Sequence, residues 1–291
     1  MSDSPLTGRT VVVTGAARGI GAEVARALAG RGARVALLGH EKGPLDRVAD
    51  TLATPSLTLE TDITDAAALQ AAARTVRARL GRPSAVVANA GVAEAGPLST
   101  ANPASWRRVV EVNLTGSAFT ARTFLPDLLH TRGYYLQVAS LASIGAVPMM
   151  SAYCASKAGA EAFAHALRAE TAHRGVAVGI AYLNWVDTDM IHEADDHPAL
   201  SDMRSMLPPF ARRLMAPGPV AGRIARAVEQ RKAALYAPGW VRLAQLGRGF
   251  LPPVISRRAR LHYGRLAADR PLEQTGPLGE GGLADHALAG R

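Results

Sequence analysis

The chain has 291 residues, 48% of them hydrophobic, enough to bury one sizeable core, and a formal net charge of +9. Its single cysteine, Cys154, excludes an internal disulfide, and no apolar run reaches the roughly 18 residues needed to span a bilayer. Aromatic residues make up only 5% and the basic residues are spread along the chain, which argues against a base-stacking nucleic-acid surface.

Short apolar runs alternate with longer helix-period segments, the pattern of βαβ units around a doubly wound parallel sheet. Strands are expected at 10–13, 34–38, 56–59, 85–88, 134–139, 176–182 and 233–236. Helices are expected at 20–31, 66–79, 105–130 and 151–173. Residues 1–240 make one catalytic domain in this reading. Within it, 187–217 is polar, rich in Met and Pro, and long enough to serve as a substrate lid. An apolar and arginine-rich extension follows over 241–270, and the Gly- and Ala-rich stretch 271–291 is expected to be disordered. Met1-Ser2-Asp3-Ser4-Pro5 has neither the basic nor the apolar part of a secretion signal, so a cytoplasmic location is expected.

The first strand runs into Thr14-Gly15-Ala16-Ala17-Arg18-Gly19-Ile20-Gly21 and then a helix. Glycines at 15, 19 and 21 let the backbone turn and approach a pyrophosphate at the helix N-terminus. At the end of the second strand, Gly39 and His40 stand where NAD-specific folds place an acid, with Glu41 one step on. Arg18 can meet a 2′-phosphate. These features favour NADP(H), with NAD(H) as the alternative, unless Arg18 and His40 are simply solvated.

Tyr153 and Lys157 stand four residues apart at the start of a helix and share one face. A neighbouring ammonium would pull a tyrosine pKa from about 10 toward the neutral range. Ser140 ends the preceding strand and could hydrogen-bond a carbonyl oxygen. Cys154, between the two, reads as a packing residue.

Over residues 8–240 the sequence resembles the short-chain dehydrogenase/reductase family in its single-domain form. The resemblance rests on Thr14-Gly15-x-x-x-Gly19-x-Gly21, Asp62, Asn89-Ala90-Gly91, Asn113, Ser140 and Tyr153-x-x-x-Lys157, all in family order. It implies a Rossmann-like sheet of seven strands and oxidoreductase activity between an alcohol and a ketone or aldehyde. Tyr153 would be the general acid/base, Ser140 would orient the reacting oxygen, and Lys157 would bind the nicotinamide ribose and tune Tyr153. Asn113 would hold a water in a proton relay. Asp62, with Ile63 beside it, would face the adenine. Asn89 would brace the sheet at the cofactor, alongside Ala90 and Gly91. For Asn89 and Asn113 a wholly structural role stays open, and Asp62 could be a helix cap. The family's Pro-Gly after the sixth strand is replaced by Leu183-Asn184, where Asn tolerates a left-handed backbone. Val186 and Thr188 would still reach the nicotinamide amide.

No metal site is expected. Ala142, Val147, Met150, Trp185 and Met190 are candidates for an apolar substrate pocket, although the lid methionines could equally cap the core. An apolar pocket points to a lipid-, steroid- or terpene-like alcohol or ketone. The resemblance also implies a homodimer or homotetramer. Residues 240–266 could lie on an anionic membrane, fold over the substrate entrance or meet a partner subunit; Gly247, Gly249, Pro252 and Pro253 weaken a long helix there. A protein that keeps the fold but only senses NADP(H) is the alternative to an enzyme. Such proteins usually lose the Tyr or the Lys.

Overall fold

A computed structural model describes residues 4–205, 207–269 and 273–289. In chain order the first half runs β1 (Thr10–Thr14), α1 (Gly19–Ala29), β2 (Arg34–Gly39), α2 (Lys42–Ala49), β3 (Ser56–Glu60), α3 (Ala66–Leu80), β4 (Pro83–Ala88), α4 (Pro103–Val110) and α5 (Ser117–Thr131). The second half runs β5 (Tyr134–Ser140), α6 (Ser151–Thr171), β6 (Ala177–Leu183), α7 (Asp189–Asp196), α8 (Pro198–Ser205), α9 (Pro209–Arg212), α10 (Pro217–Glu229), β7 (Ala234–Ala237), α11 (Val241–Leu246), α12 (Leu251–Asp269) and α13 (Gly279–Ala289).

The seven strands form one parallel sheet in the order β3-β2-β1-β4-β5-β6-β7. β1 is buried along its whole length, and its residues split between two cores. Val11 and Val13 pack with α1 and α10 on one face; Val12 packs on the other, against a core that includes Leu69, Phe124 and Ala164 of α3, α5 and α6. A strand buried on both faces needs no polar alternation, which is why it reads as Val-Val-Val. The chain leaves β1 toward β2 on one side and returns to β4 on the other. A crevice opens where the two directions part, beyond the strands' C-terminal ends.

Three sequence expectations are corrected. The helix foreseen over 105–130 is present from 103 to 131 but is not regular: between α4 and α5 it widens into a π-helical turn at Glu111–Gly116. Asn113 lies in that turn and is fully buried. Its Oδ1 accepts from Val92 N at 2.8 Å, while its Nδ2 donates to Val92 O and to Ser156 Oγ, both at 2.9 Å. Those bonds tie the β4 end, this turn and α6 together, and a wide turn at a site is a recurring device.

The prolines at 252 and 253 do not prevent a helix. They occupy the first turn of α12, where no intrahelical N–H is lost, and the helix is 19 residues long with them included. Finally, the Gly- and Ala-rich terminal stretch expected to be disordered is folded over the residues described, 273–289. Thr275 N donates to Ala95 O at 2.8 Å, Leu278 N to Ala93 O at 2.9 Å, and α13 follows. Leu278 is buried in an apolar cluster with Ala93, Ala95, Ala194 and Leu200, and this burial holds a segment whose composition alone suggests no structure.

Candidate active site

The crevice at the β1/β4 switch point is lined by most of the residues expected to hold a cofactor: Gly15, Arg18, Gly19, Ile20, Gly21, His40, Ile63, Asn89, Ala90, Gly91 and Thr188. Gly15 and Gly19 have φ of +63° and +50°, a region that side-chain-bearing residues avoid. A Cβ on Gly21 would sit 2.0 Å from the Gly15 carbonyl, so only glycine lets the turn close. The first turn of α1 holds no acidic residue, and its N-cap, Arg18, makes no side-chain capping bond. The N–H groups at this helix end are therefore unclaimed by side chains, which suits the negative bridge of a dinucleotide.

Asn89 acts as a brace. Its Nδ2 donates to the carbonyls of Thr14 and Gly15 at 3.1 and 3.2 Å, and Thr14 Oγ1 accepts from the N–H groups of Asn89 and Ala90. Asp62 does not line the crevice. It accepts from Thr64 N at 2.8 Å and from Arg108 at 3.0 Å, while Asp65 is the residue that caps α3. Val186 is likewise set back: it is buried, bridged to Met215, and receives a bond from Thr188 Oγ1 at 3.1 Å.

The catalytic candidates meet at the C-terminal end of β5. Ser140 Oγ accepts from Ala142 N at 3.1 Å, and the Ser140 hydroxyl is near enough to the Tyr153 hydroxyl to favour its ionised form. Lys157 Nζ lies 5.7 Å from the Tyr153 ring centroid and donates to Val138 O at 3.3 Å. Lys157 also reaches the crevice edge, because a Cβ on Gly91 would stand 3.1 Å from its Nζ and 3.0 Å from Asn113 Oδ1.

The electrostatics differ from the simple sequence expectation. Burial pushes the Tyr153 hydroxyl above the usual phenol range, and the nearby Ser140 hydroxyl offsets this only in part. Lys157 is buried and desolvated, which pushes it down to about 8. An ammonium lodged over the ring and bonded to a carbonyl does less for the phenolate than one at the hydroxyl. Cys154 stays a packing residue: its Sγ accepts from Val147 N at 3.3 Å, and burial pushes the thiol up.

Asn184 keeps out of the left-handed region; among described residues with positive φ, only Arg132, Met149 and Arg231 are not glycine. Its N–H donates to Ala237 O at 2.9 Å and its Nδ2 to Ala211 O at 2.8 Å. The replacement of Pro-Gly therefore anchors the 187–217 segment at Ala211 instead of shaping a tight turn.

Of the substrate candidates, Met150 and Met190 pack with Tyr153 against the Ala93–Leu278 cluster. Ala142 is buried beneath Ser140, Val147 faces Cys154, and Trp185 turns toward the lid under Arg204, 6.0 Å from its ring centroid. Met206 lies outside the described residues.

Several residues at this site carried no local signal. Leu278, Gly279, Glu280, Gly281 and Gly282 line the crevice from the far end of the chain. Glu280 pairs with Arg18 at 2.7 Å, and Asp285 pairs with Arg108 at 2.6 Å and His40 at 3.2 Å. The glycine cluster at 279–282 was the one visible hint.

The short chain dehydrogenase family matches residues 9–199. The chain is 33% identical to the D-threitol dehydrogenase of Mycolicibacterium smegmatis over 210 residues, 71% of this chain and 81% of that protein. It is 33% identical to the galactitol 2-dehydrogenase (L-tagatose-forming) of Cereibacter sphaeroides over 211 residues, 71% of this chain and 83% of that one. Some relatives are much longer: the chain spans 18% of the glycine betaine reductase ATRR of Emericella nidulans and 44% of EphD of Mycobacterium tuberculosis. A short-chain type dehydrogenase/reductase from Mycobacterium marinum superposes with a TM-score of 0.72 at 23% identity, covering 79% of this chain and 94% of that one, and shares the fold. The chain belongs to the short-chain dehydrogenase/reductase family, oxidoreductases that act on CH–OH groups with NAD(P).

Proposed function

We propose that the chain interconverts a hydrophobic secondary alcohol and its ketone, or the corresponding aldehyde pair, with NADP(H) as the preferred cofactor. The observation that carries the reading is the meeting of Tyr153, Ser140 and Lys157 at the edge of a glycine-walled crevice. When bound, the nicotinamide supplies or accepts the hydride. The Ser140 hydroxyl orients the carbonyl oxygen, and Tyr153 gives its phenolic proton to the alkoxide oxygen in reduction and takes it back in oxidation. Lys157 stabilises the tyrosinate left behind and can reach a ribose hydroxyl at Gly91. Asn113 holds α6 and the β4 loop in register for this set.

The cofactor preference is supported by Arg18 and His40 on the crevice wall and by Gly39, which ends β2 without a carboxylate for the ribose 2′-hydroxyl. The substrate class is supported by Met150, Met190, Leu200 and Leu278 beside Tyr153. A panel of ketones and aldehydes graded from small polyol-derived to large apolar, followed by NADPH oxidation, tests both. Preference for polyol ketones would overturn the apolar reading, and equal rates with NADH would overturn the cofactor reading.

Cytoplasmic residence and a homodimer or homotetramer belong to the same proposal, and light scattering of the purified chain reports the latter. We also place α11 and α12 on an anionic membrane surface. Leu246 and Phe250 are each 78% exposed, Leu243 and Val254 are exposed nearby, and residues 240–268 hold six arginines and no acid. No helix among the described residues is long and apolar enough to cross a membrane, so the contact would be peripheral. Sedimentation with anionic vesicles should capture the chain and lose the Leu246→Asp/Phe250→Asp variant; equal sedimentation of both removes the idea.

A further inference from the structure

The C-terminal segment sits on the crevice that holds the cofactor. Pro277 bridges to Glu94, Leu278 is buried among Ala93, Ala95, Ala194 and Leu200, and Gly279 N donates to Glu193 Oε2 at 2.7 Å. Gly279, Gly281 and Gly282 then line the crevice with no side chain to fill it, so the segment roofs the site and leaves its volume open.

At one end the roof is charged. Glu280 takes Arg18 Nε at 2.7 Å, while Glu41 grips both terminal nitrogens of the same guanidinium. Asp285, whose side chain is 3% exposed, takes Arg108 at 2.6 and 2.9 Å and His40 at 3.2 Å. Burial alone would raise the Asp285 carboxyl, but bonds from His40 and Arg108 outweigh it and hold it below the usual range. Arg18, a fixed cation, and the His40 imidazole stand near the end of β2, beside the ribose 2′ position of a dinucleotide.

We propose that Glu280 and Asp285 are specificity-determining residues, carboxylates of the C-terminal segment that compete with a cofactor 2′-phosphate for Arg18 and His40. With Glu41 already on Arg18, a phosphate dianion adds to three carboxylates around these two residues, and like-charge repulsion in a half-buried site favours release of the two that the C-terminal segment supplies. A cofactor with a free 2′-hydroxyl adds no such charge and fits beneath the docked segment. Binding of the phosphorylated cofactor therefore carries the cost of loosening α13 at its acidic residues, and discrimination between NADPH and NADH is set jointly by the β2 end and the chain's own C-terminus. The inference rests on the reading of Arg18 and His40 as 2′-phosphate partners.

The test is binding to the full chain, read as fluorescence or calorimetric Kd for NADPH and for NADH. Glu280→Gln touches an exposed residue and is expected to lower the Kd for NADPH about threefold with NADH unchanged, the range of an exposed ion pair. Adding Asp285→Asn is expected to widen the ratio to about tenfold or more, and 2′,5′-ADP should follow NADPH while 5′-AMP follows NADH. An unchanged ratio in both variants overturns the inference, as does a parallel weakening of both cofactors, which would make the segment only a retaining wall. Arg18→Gln separates the two levels. Equal loss of NADPH and NADH would sink the 2′-phosphate reading itself, whereas selective loss of NADPH with no response to Glu280→Gln would sink only the role of the segment.

Discussion

Two cations mark the two ends of one crevice, and they are kept in opposite states. Arg18, at the adenosine end, is held by Glu41 and by Glu280 from the far end of the chain, and hydrogen bonding to Glu41 raises its pKa further. Lys157, at the catalytic end, is buried against the Tyr153 ring and bonded to a backbone carbonyl, and desolvation lowers it to about 8. In the reading proposed above, Arg18 at the adenosine end holds its charge at any ordinary pH and recognises by exchange of partners. The catalytic end holds a charge that burial opposes, and its proton is labile near neutrality, where acid–base chemistry is done.

The largest effect that would break this contrast lies at the catalytic end. Tyr153→Phe is expected to lower kcat about a thousandfold while NADPH titrates with an unchanged Kd. A modest loss of rate would remove the proton donor from the account.

Lys157→Met sharpens the contrast through stability. Unfolded lysine titrates near 10.4, folded Lys157 near 8. Between those values the unfolded state binds the extra proton, so stability rises with pH across that window and the burial penalty is full below pH 8. The variant should therefore be inactive yet more stable than the parent at pH 7, by on the order of 1–3 kcal/mol, with the gap closing toward pH 10 in denaturant titrations. A destabilised variant at pH 7 would show that the lysine has an ionic partner after all.

Arg18→Gln is expected to weaken NADPH about tenfold and NADH hardly at all, measured by cofactor titration at low and high salt. The smallest effect is at Cys154, where Ala should leave turnover within about twofold of the parent, because the thiol only packs and bonds the Val147 backbone.

The same contrast explains what the sequence could reveal. All seven strands stand within two residues of their expected places, because buried parallel strands read as short apolar runs. Tyr153, Lys157 and Ser140 were legible because a four-residue helix spacing and a strand end are local patterns. The widening at Asn113 was not, since a π turn leaves the hydrophobic periodicity of α4 and α5 almost in phase. Helix α2 lies outside the expected helices; it is only eight residues long and carries Gly43 and Pro44 in its first turn, a position that accommodates proline. The roof of the crevice was out of reach for a different reason. Arg18 and Glu280 lie 262 residues apart, and a glycine-rich tail reads as disorder until the cations and the apolar cluster that dock it are known.

The central claim is hydride transfer at a carbonyl held by Tyr153 and Ser140, and an isotope experiment addresses it directly. NADPH carrying deuterium at nicotinamide C4 is incubated with the best ketone of the panel, and the alcohol formed is analysed by mass spectrometry and NMR. The account predicts one deuterium on the carbinol carbon with the parent chain and essentially none with Tyr153→Phe, both proteins binding the cofactor equally. Binding without any deuterated alcohol from the parent chain, or equal labelling by the two proteins, would contradict it.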